Sequence, residues 1–210
     1  MTHVYFIRHA QQFSAHNDGG PVLADHEDGL TEKGHTQARR VAARVAQQIQ
    51  PDVLYSSPLL RAKQTAQHVS AATDLPLHVD PNLAELHLNC PPAATAEADF
   101  DGWVRARRLP YTPAFPGGEA LIDLLRRGAQ AFETITQAYW GQKIVIVTHG
   151  GLIEMVNFHL LGIPIERNLV SFIRCDHTAI FHWHWLELRD INVQGWELSA
   201  ANDTHHLDEI

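Results

Sequence analysis

The chain is short of several things, and each shortage removes a class of function. It has only two cysteines, Cys90 and Cys175, in 210 residues. That gives no disulfide framework and no zinc-finger spacing. It has no long apolar run: the best stretch, residues 143–147, is soon interrupted, far below the roughly 20 residues that a membrane helix needs. It has no basic excess either. Sixteen Lys and Arg stand against 24 Asp and Glu, a formal net charge of −8, whereas a nucleic-acid or membrane-surface binder needs a basic footprint. No nucleic-acid and no membrane partner is therefore expected. No basic n-region or cleavage site precedes the first strand-like run at Val4, so the expected location is a reducing cytoplasm. Repeats, low-complexity tracts and long linkers are also missing.

What remains is an ordinary globular composition, 45% hydrophobic and 19% charged, in a chain long enough for one sizeable core. Residues 4–7 form a short apolar run that stops at Arg8-His9. From Gly34, the residues Ala38, Val41, Ala42, Val45 and Ile49 fall on one helical face, with Thr31 placed to cap it. Residues 53–55 read as a second strand. Ser56-Ser57-Pro58 then opens a helix running to about Val69, Pro being favoured in a first turn. Leu77–Val79 is a weaker strand. Leu121, Leu124, Leu125, Phe132, Ile135 and Tyr139 mark another amphipathic helix. The clearest buried strand is 143–147 (Lys-Ile-Val-Ile-Val), followed by Thr148-His149-Gly150-Gly151 and a helix carrying Ile153, Val156 and Leu160. Two later runs, 178–188 and 191–198, read as a hairpin around Arg189-Asp190.

Strands alternating with helices predict an α/β protein: a three-layer sandwich with a mostly parallel central sheet and helices on both faces. One domain spans 1–210. Residues 86–118, rich in Pro, Ala and polar side chains, read as a small inserted cap. In such sheets, sites form beyond the carboxyl ends of the strands. Two of the best strands end there in histidine, at His9 and His149.

Phosphoryl transfer from a monoester needs a nucleophile, fixed positive charge around the phosphoryl oxygens and an acid for the leaving alkoxide. Neutral imidazole is a competent nucleophile near pH 7. Arginine binds phosphate oxygens through a planar fork that never deprotonates. Arg8 adjoins the first strand-end histidine. Arg61 opens the helix after the second strand, where backbone N–H groups also favour an anion. His149 precedes a Gly-Gly that lets the backbone approach a ligand.

These segments have a family likeness. Ile7-Arg8-His9-Ala10, Leu30-Thr31-Glu32-Lys33-Gly34 with Gln37-Ala38, and Ser56-Ser57-Pro58-Leu59-Leu60-Arg61-Ala62 with Gln64-Thr65-Ala66 come first in the chain. Leu83-Ala84-Glu85, Pro116-Gly117-Gly118-Glu119 and Val147-Thr148-His149-Gly150-Gly151 follow. Together, and in this order, they resemble the histidine phosphatase superfamily, which includes the cofactor-dependent phosphoglycerate mutases. The resemblance implies that His9 becomes phosphorylated and that Arg8, Arg61, His149 and Gly150 hold the phosphate. It implies that Glu85 donates the leaving-group proton, and that no metal and no cofactor are needed. The partner implied is a small phosphorylated substrate. The chain departs from the pattern at Ala10, where Gly is usual, and at Ala15, where the pattern has Asn. Asn17 and Gln11 are the alternatives for that neutral contact, and Glu97, Asp99 and Asp101 are alternatives to Glu85 as the acid.

Blander readings apply elsewhere. The 15 histidines invite a metal, but His182 and His184 alternate with Trp183 and Trp185, as an amphipathic strand with solvated His on one face would. His205-His206 is expected to fray. Trp103, Arg105, Arg107 and Arg108 form either a substrate-reading patch or a basic loop. Glu119 is expected to support the first turn of its helix. Among functions, the resemblance favours a phosphatase for small monoesters. The alternatives are a phosphoglycerate mutase, a compact phosphohistidine-protein phosphatase and a non-catalytic binding member. The mutase is disfavoured by Leu86 after Glu85 and by the lack of Lys or Arg in 87–98.

Overall fold

The computed structural model describes residues 1–13, 29–89 and 96–208, and of residues 96–99 and 189 the backbone alone. Ala15, Asn17 and Cys90 lie outside the described residues, as do the side chains of Glu97 and Asp99. The six strands are β1 (His3–Arg8), β2 (Val53–Ser56), β3 (Leu77–Val79), β4 (Lys143–Thr148), β5 (Ile180–Leu188) and β6 (Val193–Asp203). They form one sheet in the order β3-β2-β4-β1-β5-β6. The first four in that order run parallel, and β5 and β6 join antiparallel as the expected hairpin.

The central strands are continuous apolar runs because both their faces are covered. One face carries α1 (Glu32–Arg44) and α2 (Leu60–Thr73), whose Val41, Ala42, Ala62, Ala66 and Val69 pack on Ile7, Leu54, Val145 and Val147. The other carries α4 (Leu121–Ala138) and α5 (Gly150–Leu160). There Leu124, Phe132, Ile135, Ile153 and Val156 meet Val4, Phe6, Ile144, Ile146 and Phe181. Burying a side chain such as Phe132 or Leu124 contributes about 1.5–3 kcal/mol, so these two layers hold the sheet between them. No helix among the described residues is long and apolar enough to cross a membrane.

Several local expectations are refined. Thr31 caps α1 by accepting from Gly34 N, and the helix begins at Glu32. Gly34 is required there because a Cβ would collide with the Gln11 carbonyl. The helix after β2 begins at Leu60, so Pro58 precedes it rather than lying in its first turn. Residues 96–108, inside the segment read as an insert, form a helix, α3 (Ala96–Arg108). His205–Leu207 does not fray but forms a 3-10 turn. His206 Nε2 lies 2.9 Å from Thr178 Oγ1, beside an Arg44–Asp203 ion pair.

Candidate active site

Strand register builds the site. Arg8 lies opposite Thr148 and Ser56 opposite Val147, so the residues that follow, His9, His149 and Ser57, leave the sheet at one level. The backbone continues the ladder one step: His9 N donates to Thr148 O at 2.8 Å and Ser57 N to Val147 O at 3.0 Å. The His9 and His149 rings end 5.1 Å apart between centroids. The turn after His9 is tied down by side chains of the two helices below. Thr65 Oγ1 accepts from Ala10 N at 3.0 Å, Gln37 Oε1 from Gln11 N at 2.9 Å and Gln64 Oε1 from Leu30 N at 2.7 Å. This gives the Gln-Ala and Gln-Thr-Ala segments a physical role: they fix the loop that carries the histidine.

His9 is buried, and its Nδ1 lies 2.8 Å from Ala10 O. A carbonyl only accepts, so Nδ1 carries the hydrogen and Nε2 the lone pair. Burial, then Arg61, His149 and Arg8, hold its pKa well below the ordinary 6.5. The ring is neutral at pH 7, as a nucleophile must be. His149 is buried in the same way, its pKa lowered by burial and then by Arg61 and Arg8. Its Nε2 lies 2.7 Å from Ser57 Oγ. That oxygen also accepts from Leu59 N at 3.2 Å, and with the serine proton turned to His149 Nε2 the ring carries its hydrogen on Nδ1 as a donor. Among the described residues that Nδ1 is buried without a partner, and so is Arg8 Nε. Arg8 is held by a 2.6 Å bond from Nη1 to Cys175 O. Arg61 is buried on the first turn of α2. Gly150 completes the wall: a Cβ there would stand 3.6 Å from Arg8 Nε.

Glu85 enters from the loop after β3. Its Oε1 accepts from Leu86 N at 2.9 Å and its Oε2 from Gly151 N at 3.0 Å, at the start of α5. Burial raises its pKa above 4.5 against the opposing pull of those two amides, Arg61 and Arg8. Gly151 lets the two approach closely: a Cβ would stand 2.5 Å from Glu85 Oε1 and from Trp103, and one or both side chains would have to move. The loop itself is clamped by Arg127 of α4, which donates to Ala84 O at 2.7 Å and to Glu85 O at 2.9 Å. Thr148 Oγ1 adds a 2.6 Å bond to Leu83 O. Glu119 supports this clamp rather than its own first turn, with Oε1 accepting from Arg127 Nε at 2.6 Å.

The six expected residues Arg8, His9, Arg61, Glu85, His149 and Gly150 thus come together. Of the alternatives within the described residues, Asp101 is exposed on α3, and Gln11 Oε1 accepts from Thr31 Oγ1 at 3.0 Å. The basic group of α3 is not a simple patch. Trp103 packs on the buried core, and Arg107 pairs with Glu154 of α5 and donates to Asn168 O at 2.9 Å. Sequence reading missed Ser57, Arg127 and His177, whose ring centroid lies 5.6 Å from that of His9. Ser57 had a usable signal, a strand-end position like those of His9 and His149. Arg127 and His177 had none, since each depends on a loop's return. Among the described residues no three His, Cys, Asp or Glu gather as a metal site. His182 is not simply solvated: it stacks 4.2 Å from Tyr5.

The arrangement is a buried neutral imidazole under the field of two guanidiniums, with Arg8 Nε and His149 Nδ1 unpaired among the described residues and a carboxyl of raised pKa held at the start of α5. Comparisons with known proteins give the family. The family model for the histidine phosphatase superfamily (branch 1) matches residues 4–204. A protein named "Probable phosphoglycerate mutase GpmB" from Yersinia pestis (strain Pestoides F) is 31% identical over 99% of this chain and 96% of its own. A mycobacterial glucosyl-3-phosphoglycerate phosphatase, solved in complex with VO3, is 27% identical with a TM-score of 0.76, covering 95% of this chain and 98% of that one. A phosphoserine phosphatase from Entamoeba histolytica, solved with phosphoserine, has a TM-score of 0.76 over 99% of this chain and 100% of its own. At 24% identity it shows the fold alone.

Proposed function

The chain belongs to the histidine phosphatase superfamily, and on that premise we propose that it is a phosphatase, hydrolysing small phosphate monoesters through a phosphohistidine on His9. The observation that carries this reading is the pairing of a neutral, buried His9 with a half-buried Glu85 of raised pKa, both of them under the field of Arg61 and Arg8. Groups whose environments push their proton affinities in opposite directions are suited to nucleophile and acid roles.

The steps follow from the atoms. His9 Nε2 attacks phosphorus, and the bond to the ester oxygen breaks. Arg8, Arg61 and His149 Nδ1–H hold the phosphoryl oxygens, Gly150 leaves them room, and that fixed charge stabilises the transition state. Glu85 gives its proton to the leaving alkoxide. Water then attacks the phosphohistidine, the N–P bond breaks, Glu85 takes the water's proton, and inorganic phosphate departs. The guanidiniums supply the charge that a metal supplies in other phosphoryl-transfer enzymes, so no metal or cofactor takes part. Within residues 86–118, α3 acts as the cap, held on α5 by Trp103 against Gly151 and Arg107 on Glu154.

The mutase reading shares the phosphohistidine and differs in what meets it next. A mutase must hold the dephosphorylated glycerate by its carboxylate and keep water out. Residues 87–98 carry no Lys or Arg, and Arg107 is committed to Glu154. Water is therefore the expected acceptor. The test supplies 3-phosphoglycerate with a trace of bisphosphoglycerate, with and without chelator, and follows inorganic phosphate and 2-phosphoglycerate together. Phosphate release dominates and resists chelation if the proposal holds. Isomer forming many-fold faster than phosphate makes the chain a mutase instead.

A further inference from the structure

His177 takes no part in the chemistry above, yet the fold presses it against the nucleophile. The segment before β5 wraps back over the end of β1. Cys175 O accepts from Arg8 Nη1, Thr178 N donates to Arg8 O at 3.0 Å, and Arg8 N donates to Ala179 O at 3.2 Å. Thr178 holds a left-handed backbone, φ 59°, which a β-branched residue adopts only when its surroundings force it. The forcing contacts are visible. Thr178 is fully buried, its hydroxyl donates to His177 O at 2.7 Å, and it accepts from His206 Nε2 at 2.9 Å. His206 in turn rests on Arg44, whose guanidinium pairs with Asp203. A strained turn braced from the last strand and from α1 thus sets the His177 ring 5.6 Å from His9, tilted by 59°.

The ring's Nε2 is buried and has no partner among the described residues. A buried nitrogen left unsatisfied destabilises the fold, whereas an apolar side chain would fill the same space without that loss. Strain and an unsatisfied donor together, at the edge of a phosphoryl site, point to a ligand. We propose that His177 is a phosphoryl-binding residue: its Nε2–H donates to a non-bridging oxygen of the group being transferred to His9. The proposal rests on the phosphatase reading, and it supplies the neutral contact that Ala15 has no side chain to give. Burial and Arg8, opposed by Asp176, push the His177 pKa down to about 4, so the ring gives a hydrogen bond without adding charge at neutral pH.

The test measures vanadate and inorganic phosphate affinity, and turnover of p-nitrophenyl phosphate, in wild type, His177→Ala, His177→Phe and His177→Asn. Phe fills the volume without a donor, and Asn restores a neutral donor. One hydrogen bond to a charged oxygen predicts vanadate affinity weakened about ten- to a hundredfold in the Ala and Phe variants. Asn recovers a large part of that loss, and the Phe variant unfolds at the wild-type temperature. Wild-type affinity in both the Ala and Phe variants overturns the proposal. So does an Asn variant no better than Phe, or a loss of affinity that tracks a fallen melting temperature in every variant. Wild type that neither binds phosphate nor hydrolyses monoesters overturns the phosphatase reading, and this proposal with it. Wild type that does both while the Ala and Phe variants match it sinks His177 alone.

Discussion

The sheet carries two gatherings of histidine, and beyond the residue type they share only a lowered pKa, at His9, His149 and His177 in one and at His3 and His182 in the other. His9, His149 and His177 stand beyond the carboxyl ends of β1 and β4 and before β5. His3, His182 and His184 lie along β1 and β5, where His3 pairs with His184 and Tyr5 with His182. In this second group His3 Nδ1 is 3.0 Å from His182 Nε2, and the His182 pKa is down to about 4 through burial, then His3 and His184. Its ring and hydrogen-bond neighbours are Tyr5, Ser199 and the other rings, and Lys143 and the N-terminal amine act on His3, but no guanidinium of the described residues is among them. The first group is ringed by Arg8 and Arg61 and faces the Glu85 carboxyl. A cluster of histidines is therefore not a site by itself. What makes one is fixed positive charge and an acid converging on a lone pair, and in an open parallel sheet that convergence happens at the strand ends.

The sharpest way to break the comparison is to delete one ring from each group. His9→Ala is expected to lower kcat for p-nitrophenyl phosphate by at least about a thousandfold, as the loss of a nucleophile does. His182→Ala should stay within about twofold, in keeping with a surface change remote from the chemistry. Comparable losses in both variants, measured by steady-state kinetics on folded protein, would erase the distinction.

A smaller effect belongs to Glu85. Glu85→Gln should slow alkyl phosphates about a hundredfold and p-nitrophenyl phosphate far less, because nitrophenolate leaves without a proton. The pH profiles sharpen this. His9 must be neutral, so with its pKa held well below 6.5 the acid limb of kcat/KM lies well below 6.5. Glu85 must be protonated, so alkyl phosphates lose rate as pH rises through its raised pKa, and the Gln variant loses that alkaline limb. Identical profiles for the two substrate types would assign Glu85 a structural role.

The smallest effect concerns stability in acid. His177, His182 and His206 each sit near 4 in the folded chain, against 6.5 unfolded, with burial the main cause. Their neutral burial is fully tolerated above 6.5, and stability is lost as pH falls from 6.5 towards 4. The melting temperature should therefore fall across that window, and His182→Ala should flatten part of the slope. A flat profile in wild type contradicts the assignment.

How much of this was legible in the sequence follows from where each signal lives. The strands 143–147 and 4–7 were legible because two-sided burial writes a continuous apolar run. The site residues on their ends were legible because register carries adjacent parallel strands to one level. That holds for His9 and His149 and for Arg8 and Gly150 beside them, whereas Glu85 was legible only through the family resemblance and Arg61 chiefly so, each lying several residues past its strand. Arg127 and His177 were not legible. Arg127 acts through loop carbonyls, which leave no trace in side-chain type. His177 is delivered by a strained turn that only tertiary packing stabilises. The start of α2 at Leu60 was misread for a local reason: the Ser57 hydroxyl accepts from Leu59 N, and Leu59 keeps an extended backbone as the residue before the helix. The C-terminal His206 was expected to fray because its partners, Thr178 and Arg44, are remote in sequence.

The central claim is that His9 Nε2 becomes covalently bonded to phosphorus. The most direct measurement mixes wild type with labelled substrate, quenches within a turnover, and maps the labelled peptide. The account predicts an acid-labile, base-stable label on the peptide containing His9, absent from His9→Ala. A label on a carboxylate or a serine, or full turnover by His9→Ala, would contradict it.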